Sequence, residues 1–372
     1  MANKSIVVLG AYGGTGKVVC EWLLKATSVD LVIAGRRIEK ANALAERLRK
    51  VFPDRMIKPV YADASNRESL LKAFLGQRMV VVASTTTSYV KQVAESALDV
   101  GIDYLDYHFE SKGLPILNAL SARISREGRC FITQAGFHPG LPSAFVRYAA
   151  PNFDQYNKAS IGMAMQAHIE KAESVYELVD AIADYKADLF KDGQWRQGTY
   201  KDVKKFDFGS RFGVRSCYPI QMGEMRPLPE MFDLQETGVY VAGFNWFVDS
   251  LVFPLAYILF KIKKGLGRHL IAKLMVWGLQ RFSGSQQGVS FVLETEGMHN
   301  GEALAVRIMA EHNDAYAFTA IPIIACLRQY LDGSFLKPGL WMMGHLVDPV
   351  RLFKDMTEMG ITIQSNITNV EP

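Results

Sequence analysis

Four apolar residues at 6–9 run directly into Gly10-Ala11-Tyr12-Gly13-Gly14-Thr15-Gly16-Lys17, and helical spacing begins at once afterwards. This order of strand, glycine turn and helix constrains the fold more than any other feature of the chain. In such a turn the first glycine permits the tight bend. The later ones let backbone approach an anion and let the helix pack on the strand. The helix start adds unpaired N–H groups and the positive end of its dipole. Residues Gly10 to Gly16 are therefore expected to cradle the pyrophosphate of a dinucleotide. A Walker A loop does not fit: with Gly16-Lys17 as its Gly-Lys pair, Ala11 would have to be glycine and Val18 serine or threonine.

The same alternation continues to about residue 150. Short apolar runs at 6–9, 31–34, 57–61, 79–83, 104–106 and 130–133 alternate with helical segments. Val18, Val19, Trp22, Leu23 and Ala26 fit one helical face, as do Ala41, Leu44, Ala45 and Leu48, and again Val90, Val93, Ala94, Ala97 and Leu98. The expected fold is a Rossmann-type doubly wound parallel sheet over 1–150, followed by an α+β domain over 151–315. In the second domain a strand is expected near 159–167 and a helix near 174–190, with loops and short strands over 192–232. Residues 289–296 and 303–311 read as a hairpin around Asn300-Gly301, the preferred centre of a tight turn. Residues 316–372 read as a helical tail, with one helix at 316–331 and another beginning near Pro349.

The choice of dinucleotide falls at the end of the second strand. A free ribose 2′-hydroxyl is usually met there by a carboxylate, whereas a 2′-phosphate calls for cations. Here the strand ends in Arg36 and Arg37, and the nearest acid, Glu39, is already in the next helix. Guanidinium forks suit a phosphate, so NADP (NADPH) is the expected cofactor. Asp63 and Ala64, after the third strand, are placed for the adenine. Ser84, Thr85 and Thr86, after the fourth, either face the ribose and nicotinamide or cap the following helix.

Hydride transfer to a C=N or C=O bond leaves negative charge on nitrogen or oxygen, so a nearby acid must neutralise it. The carboxyl ends of the fifth and sixth strands offer Tyr107, His108 and Glu110, and then His138 between Gly136 and Gly140. Either His138 or His108 is the expected proton donor, with Glu110 able to orient it. The Tyr-x-x-x-Lys pairs at Tyr200/Lys204 and Tyr257/Lys261 follow no Rossmann strand and read as chance. The four cysteines are widely separated and show no zinc spacing, so no metal is expected and a reducing, cytoplasmic setting is.

Charge is informative in one place. Lys plus Arg is 42 and Asp plus Glu is 38, a balance that gives no reason to expect nucleic acid as partner. Residues 250–293, however, carry no acid and six cations, at 261, 263, 264, 268, 273 and 281. The wider stretch 240–282 is also rich in aromatic residues. Three readings stay open for it: peripheral contact with a membrane surface, a homodimer contact, or a core helix pair. A transmembrane span is disfavoured by Asn245, Asp249 and Pro254.

Taken with Tyr104-Leu-Asp-Tyr107, Gln134-Ala-Gly-Phe-His-Pro-Gly-Leu-Pro142 and Lys337-Pro-Gly-Leu-Trp-Met-Met-Gly344, the glycine turn and the Ala34-Gly-Arg-Arg37 strand end resemble the saccharopine dehydrogenase-like (saccharopine reductase-like) family. The similarity is good over residues 1 to about 150 and moderate in the tail. It implies an NAD(P)-dependent oxidoreductase whose C-terminal helix returns to the nucleotide-binding domain. The chain departs from the family pattern at Ala83-Ser-Thr-Thr-Thr87, where many members have Asn-Cys-Val-Gly-Pro, and at Tyr107-His-Phe-Glu110, where amino-acid-handling members often have Gly-Glu. The resemblance therefore names no substrate. The alternative to an enzyme is a non-catalytic NADP(H) sensor or scaffold with a membrane-surface segment.

Overall fold

The protein is described from a computed structural model. It covers residues 4–84, 87–108, 110–166, 187–199, 201–263, 265–284 and 286–369, together with Val175, Tyr176, Val179 and Tyr185. The first strand, β1 (Ser5–Leu9), alternates its side chains between two faces, yet four of its five residues are buried. Burial on both faces is what a parallel sheet wound with helices requires. The chain continues as α1 (Gly14–Ala26), β2 (Asp30–Gly35), α2 (Ile38–Val51), β3 (Ile57–Tyr61), α3 (Arg67–Phe74) and β4 (Met79–Val82). Then come α4 (Val90–Asp99), β5 (Asp103–Asp106), α5 (Glu110–Arg126), β6 (Cys130–Thr133) and α6 (Leu141–Ala149).

Strands β3, β2, β1, β4, β5 and β6 lie in that order, all parallel. The strand order reverses at β1 and β4, where Ile6 to Leu9 pair with Met79 to Val82. α2 and α4 bury the faces expected of them. α1 is rotated slightly from expectation: Val19, Cys20, Leu23 and Leu24 are buried, while Val18 and Trp22 are only partly covered. Trp22 instead takes the Lys25 ammonium over its ring at 4.4 Å.

The chain divides after Tyr148, after Ala315 and after Ile361. The first unit holds residues to 148 together with 316–361, and the second holds 149–315 together with 362–372. The tail is therefore not purely helical. The helix Ala315–Leu331 is followed by β15 (Gly339–Met342), which adds a seventh parallel strand beside β6. The helix Pro349–Glu358 follows, its N-terminus capped by Asp348, which accepts from the Arg351 N–H at 2.8 Å. Tyr330 donates to Asp103 at 2.5 Å, and the Arg78 guanidinium lies 4.6 Å from its ring. Strand β16 (Thr362–Asn369) departs from the expected tail most sharply, because it belongs to the other sheet. Seven of its eight residues are exposed, so it lacks the buried alternation that marks a strand in sequence.

The second unit is built on a mixed sheet. Its strands are β7 (Gln155–Gln166), β8 (Asp188–Lys191), β9 (Gln194–Gln197), β10 (Lys204–Asp207), β11 (Val214–Ile220), β12 (Glu236–Ala242), β13 (Gly288–His299) and β14 (Glu302–His312). The main path runs β10-β11-β12-β7-β13-β14-β16. The hairpin is found where Asn300-Gly301 predicts it: His299 pairs with Glu302, and φ is 51° at Asn300 and 83° at Gly301. Both central residues are left-handed, as a two-residue turn of this kind demands. The helix expected over 174–190 cannot reach its predicted end, because Asp188–Lys191 is a strand paired with Gln194–Gln197. Most of 174–186 lies outside the described residues.

Candidate active site in the first unit

Open α/β sheets bind ligands outside the carboxyl ends of their strands, where the strand order reverses. That place lies above β1 and β4, and the glycine turn occupies it. Gly10 has φ +85°, and a Cβ there would come 2.5 Å from the Cβ of Ser84 and 2.9 Å from the carbonyl oxygen of Ala83. At Gly16 an added Cβ would fall 2.5 Å from the oxygen of Gly10. Only glycine lets the turn sit against both β4 and its own helix. Gly13 and Gly14 are exposed, and the Gly13 N–H donates to the Gly10 carbonyl at 3.0 Å. Exposed backbone leading into α1 is the cradle that a pyrophosphate needs, so these residues fit a dinucleotide.

Tyr12 turns toward β2. Its hydroxyl accepts from the Arg37 N–H at 2.9 Å, its ring lies where a Cβ on Gly35 would go, and the Arg37 guanidinium is 5.8 Å from the ring centre. Gly35 is thus needed to seat Tyr12. Arg36 and Arg37 are both exposed at the end of β2. Asp63 is tied locally. Its Oδ1 accepts from the backbone and hydroxyl of Ser65 at 2.9 and 2.8 Å, and the Asp63 N–H donates to Ser69 Oγ at 3.0 Å. The carbonyl of the buried Ala64 accepts from Gln92 at 2.7 Å. Ser84 follows β4, whereas Thr85 and Thr86 lie outside the described residues. The N-cap of α4 is Tyr89, with no side-chain capping bond.

Beyond β4 the site is organised by Asp106, which is fully buried. It accepts from the Tyr104 hydroxyl at 2.6 Å, the Thr133 hydroxyl at 2.8 Å and the His108 N–H at 3.1 Å. The His108 ring brings Nδ1 to 3.5 Å from Asp106 Oδ2 and Nε2 to 2.9 Å from the Ser84 carbonyl. Burial works to raise the Asp106 carboxyl, but His108 and the Tyr104 and Thr133 hydroxyls outweigh it and hold the group below its ordinary value. A carbonyl can only accept, so the His108 contact to Ser84 assigns the proton to Nε2. Asp106 and His108 together brace the end of β5 against the end of β4.

Tyr107 is half-buried; burial first, with Asp106 adding to it and the bond to Thr15 opposing, pushes its hydroxyl up to about 12. It spans from Thr15 in the glycine turn to Gly136, whose added Cβ would lie 3.4 Å from Tyr107 Cβ. His138 follows on the same turn, stacked on Phe137 with ring centres 4.5 Å apart. Burial holds its imidazole down to about 4, so it is neutral at pH 7. Glu110 is the first residue of α5, and its side chain lies outside the described residues.

The description of the saccharopine dehydrogenase NADP binding domain matches residues 6–193, half of the chain. The chain belongs to the saccharopine dehydrogenase family. As a member it is an NAD(P)-dependent oxidoreductase with a nicotinamide dinucleotide as cofactor, which sets aside the sensor reading. Carboxynorspermidine synthase of Vibrio cholerae serotype O1 is 24% identical, covering 96% of this chain and 95% of its own. The apo saccharopine dehydrogenase (L-Glu forming) from Saccharomyces cerevisiae is 13% identical with a TM-score of 0.70, over 98% of this chain and 100% of that one. DAP dehydrogenase of C. glutamicum, also 13% identical, has a TM-score of 0.50 over 96% and 99%. These two structures share the fold.

Several residues of this saccharopine dehydrogenase family site carry no signal in sequence. Tyr316, at the start of the C-terminal helix, places its ring where a Cβ on Gly14 would go. Two turns of chemistry thus meet one helix, since Phe318 packs edge-on to Phe137 at 5.6 Å and Thr319 Cγ2 approaches Gly136. Gln134 is buried with φ +58°, and neither end of its side-chain amide has a hydrogen-bond partner among the described residues. Only Asp106 was within reach of reasoning, because an acid ending an apolar strand is unusual.

Proposed function

We propose that this family member is an NADP-dependent reductase of a C=N or C=O bond. The observation that carries the cofactor choice is the end of β2, where Arg36 and Arg37 are both exposed and Tyr12 holds the Arg37 backbone in place. Two guanidinium groups with no carboxylate between β2 and α2 favour a 2′-phosphate over a free hydroxyl. In this reading Gly10, Ala11, Gly13, Gly14, Thr15 and Gly16 hold the pyrophosphate. Asp63 and Ala64 flank the adenosine side, while Ser84, Thr85 and Thr86 flank the nicotinamide ribose.

Bound there, NADPH supplies a hydride to the carbon of the double bond. As the electron pair moves onto nitrogen or oxygen, a neutral His138 donates a hydrogen bond to that atom, and the Tyr107 hydroxyl, still protonated at neutral pH, is the second donor. The proton that completes the new N–H or O–H bond is drawn from solvent through these donors. His108 positions rather than reacts, because its Nε2 proton is committed to Ser84. Glu110 is kept as the group that orients this edge. The name of the relative carboxynorspermidine synthase makes a carboxylated amine, and hence a C=N bond, the first product class to try.

Fluorescence titration with NADPH and NADH tests the cofactor. Replacing both Arg36 and Arg37 by Ala is expected to weaken NADPH by about 10²-fold, leaving NADH within about threefold. Equal loss for both cofactors refutes the assignment. NADPH oxidation with mixtures of an aldehyde and an amino acid tests the reaction. His138→Ala is expected to lower kcat by about 10²-fold with NADPH affinity unchanged. Full activity in that variant removes His138 from catalysis.

A further inference from the structure

We propose that the helical hairpin formed by Phe253–Ile262 and Arg268–Phe282 docks on an anionic lipid surface. A short amphipathic helix normally turns its apolar stripe inward and its polar face to water. The helix Phe253–Ile262, with the helical turn Val248–Val252 that leads into it, breaks that rule. Val252, Ala256 and Phe260 face inward at a spacing of four, in the cluster with Ile271, Ala272 and Met275. The outward stripe is apolar as well: Leu251 is 51% exposed, Ile258 57% and Ile262 72%.

The second helix continues the surface with Leu270 and Trp277, both more than half exposed. Trp277 and the exposed Trp246 each pack against Phe282, with ring centres 5.4 and 5.0 Å apart, so the two indoles stand in one cluster. Indoles gathered beside exposed aliphatic side chains suit the headgroup boundary of a bilayer, which accepts an apolar ring body and a polar N–H together.

Charge chooses the occupant. Among the described residues Lys261, Lys263, Lys273 and Arg281 are exposed on this hairpin and form no ion pair. No acid occurs anywhere from 250 to 293. Contact with a second copy across a two-fold axis would set this face against itself, cation toward cation, with no carboxylate from the segment to compensate. A surface of lipid phosphates meets the same cations with opposite charge and takes the apolar stripe between its headgroups. Among the described residues no helix is long and apolar enough to cross a membrane, so the contact lies along the surface.

Co-sedimentation of the full chain with vesicles tests this. Vesicles of phosphatidylcholine mixed with phosphatidylglycerol are expected to carry the protein down, with indole emission shifted to the blue, and vesicles of phosphatidylcholine alone to leave it in solution. Lys261→Glu, Lys263→Glu and Lys273→Glu together are expected to weaken binding at least about tenfold, and so is Ile258→Ser with Trp277→Ser. Unchanged far-UV circular dichroism and an unchanged urea-unfolding midpoint of the full chain serve as the control for folding of the variants. Failure to bind either vesicle overturns the proposal. So does a dimer in light scattering that Ile258→Ser with Trp277→Ser converts to monomer, since a second copy would then cover the face.

Discussion

At the scale of single residues, the site depends on positions where the backbone tolerates no side chain. Gly10→Ala would force a Cβ into Ser84 at a φ of +85°. The expected cost is about 1–3 kcal/mol by urea unfolding, together with loss of NADPH binding. Protonation matters at the same scale. The imidazole of His138 falls from 6.5 to about 4 on burial in the fold. The unfolded chain therefore takes up that proton first, and acid destabilises the protein as pH falls from about 6.5 toward about 4, with nothing lost above that window. Thermal melts in steps across this range are expected to show the decline, and His138→Gln to flatten it. Asp106 acts lower on the scale. Its carboxyl lies below the ordinary 3.8, so its stabilisation is complete above that value and is lost as pH falls through the folded one.

At the scale of elements, the sequence read well wherever one face is buried and poorly wherever burial is shared or absent. The four positions named on α2 are its buried residues, because a single helical stripe meets a single sheet. The rotation of α1 was not legible, since Val18 and Trp22 are as apolar as the Cys20 and Leu24 that replace them. Strand β15 was hidden in Lys337-Pro-Gly, because four residues beside a sheet edge carry too little periodicity to be noticed. Helix Pro349–Glu358 announced itself through Asp348-Pro349, a cap followed by a proline at the first helical position. Asp348→Ala removes the bond to the Arg351 N–H, and a loss of about 1 kcal/mol in chemical denaturation is expected.

At the scale of the whole molecule, the first unit is assembled from two distant pieces of chain. Residues 316–361 supply the seventh strand and the helix that carries Tyr316, Phe318 and Tyr330. A chain ended after Ala315 would leave β6 as an uncovered apolar edge, which invites pairing with other chains. Such a truncation is expected to aggregate and to bind no NADPH, as read by light scattering and titration. The intact chain is expected to gain about 2.7 kcal/mol of stability with NADPH at 100 times its Kd, visible as a rise in Tm. A Tm unmoved by saturating NADPH contradicts the cofactor site.

By itself the sequence determined the Rossmann-type architecture, the glycine turn between β1 and α1, the arginine pair at the end of β2 and the Asn300-Gly301 hairpin. Each of these is local: the residues that make it lie within one turn or one strand of each other, and their chemistry permits few alternatives. Tertiary structure alone decided that Tyr316 meets Gly14, that His108 is committed to Ser84, and that β16 joins the second sheet. It also left the outward stripe of Phe253–Ile262 uncovered. Those outcomes depend on which segments become neighbours across tens to hundreds of residues, and such pairings are fixed by the burial of whole surfaces and not by any short run of sequence.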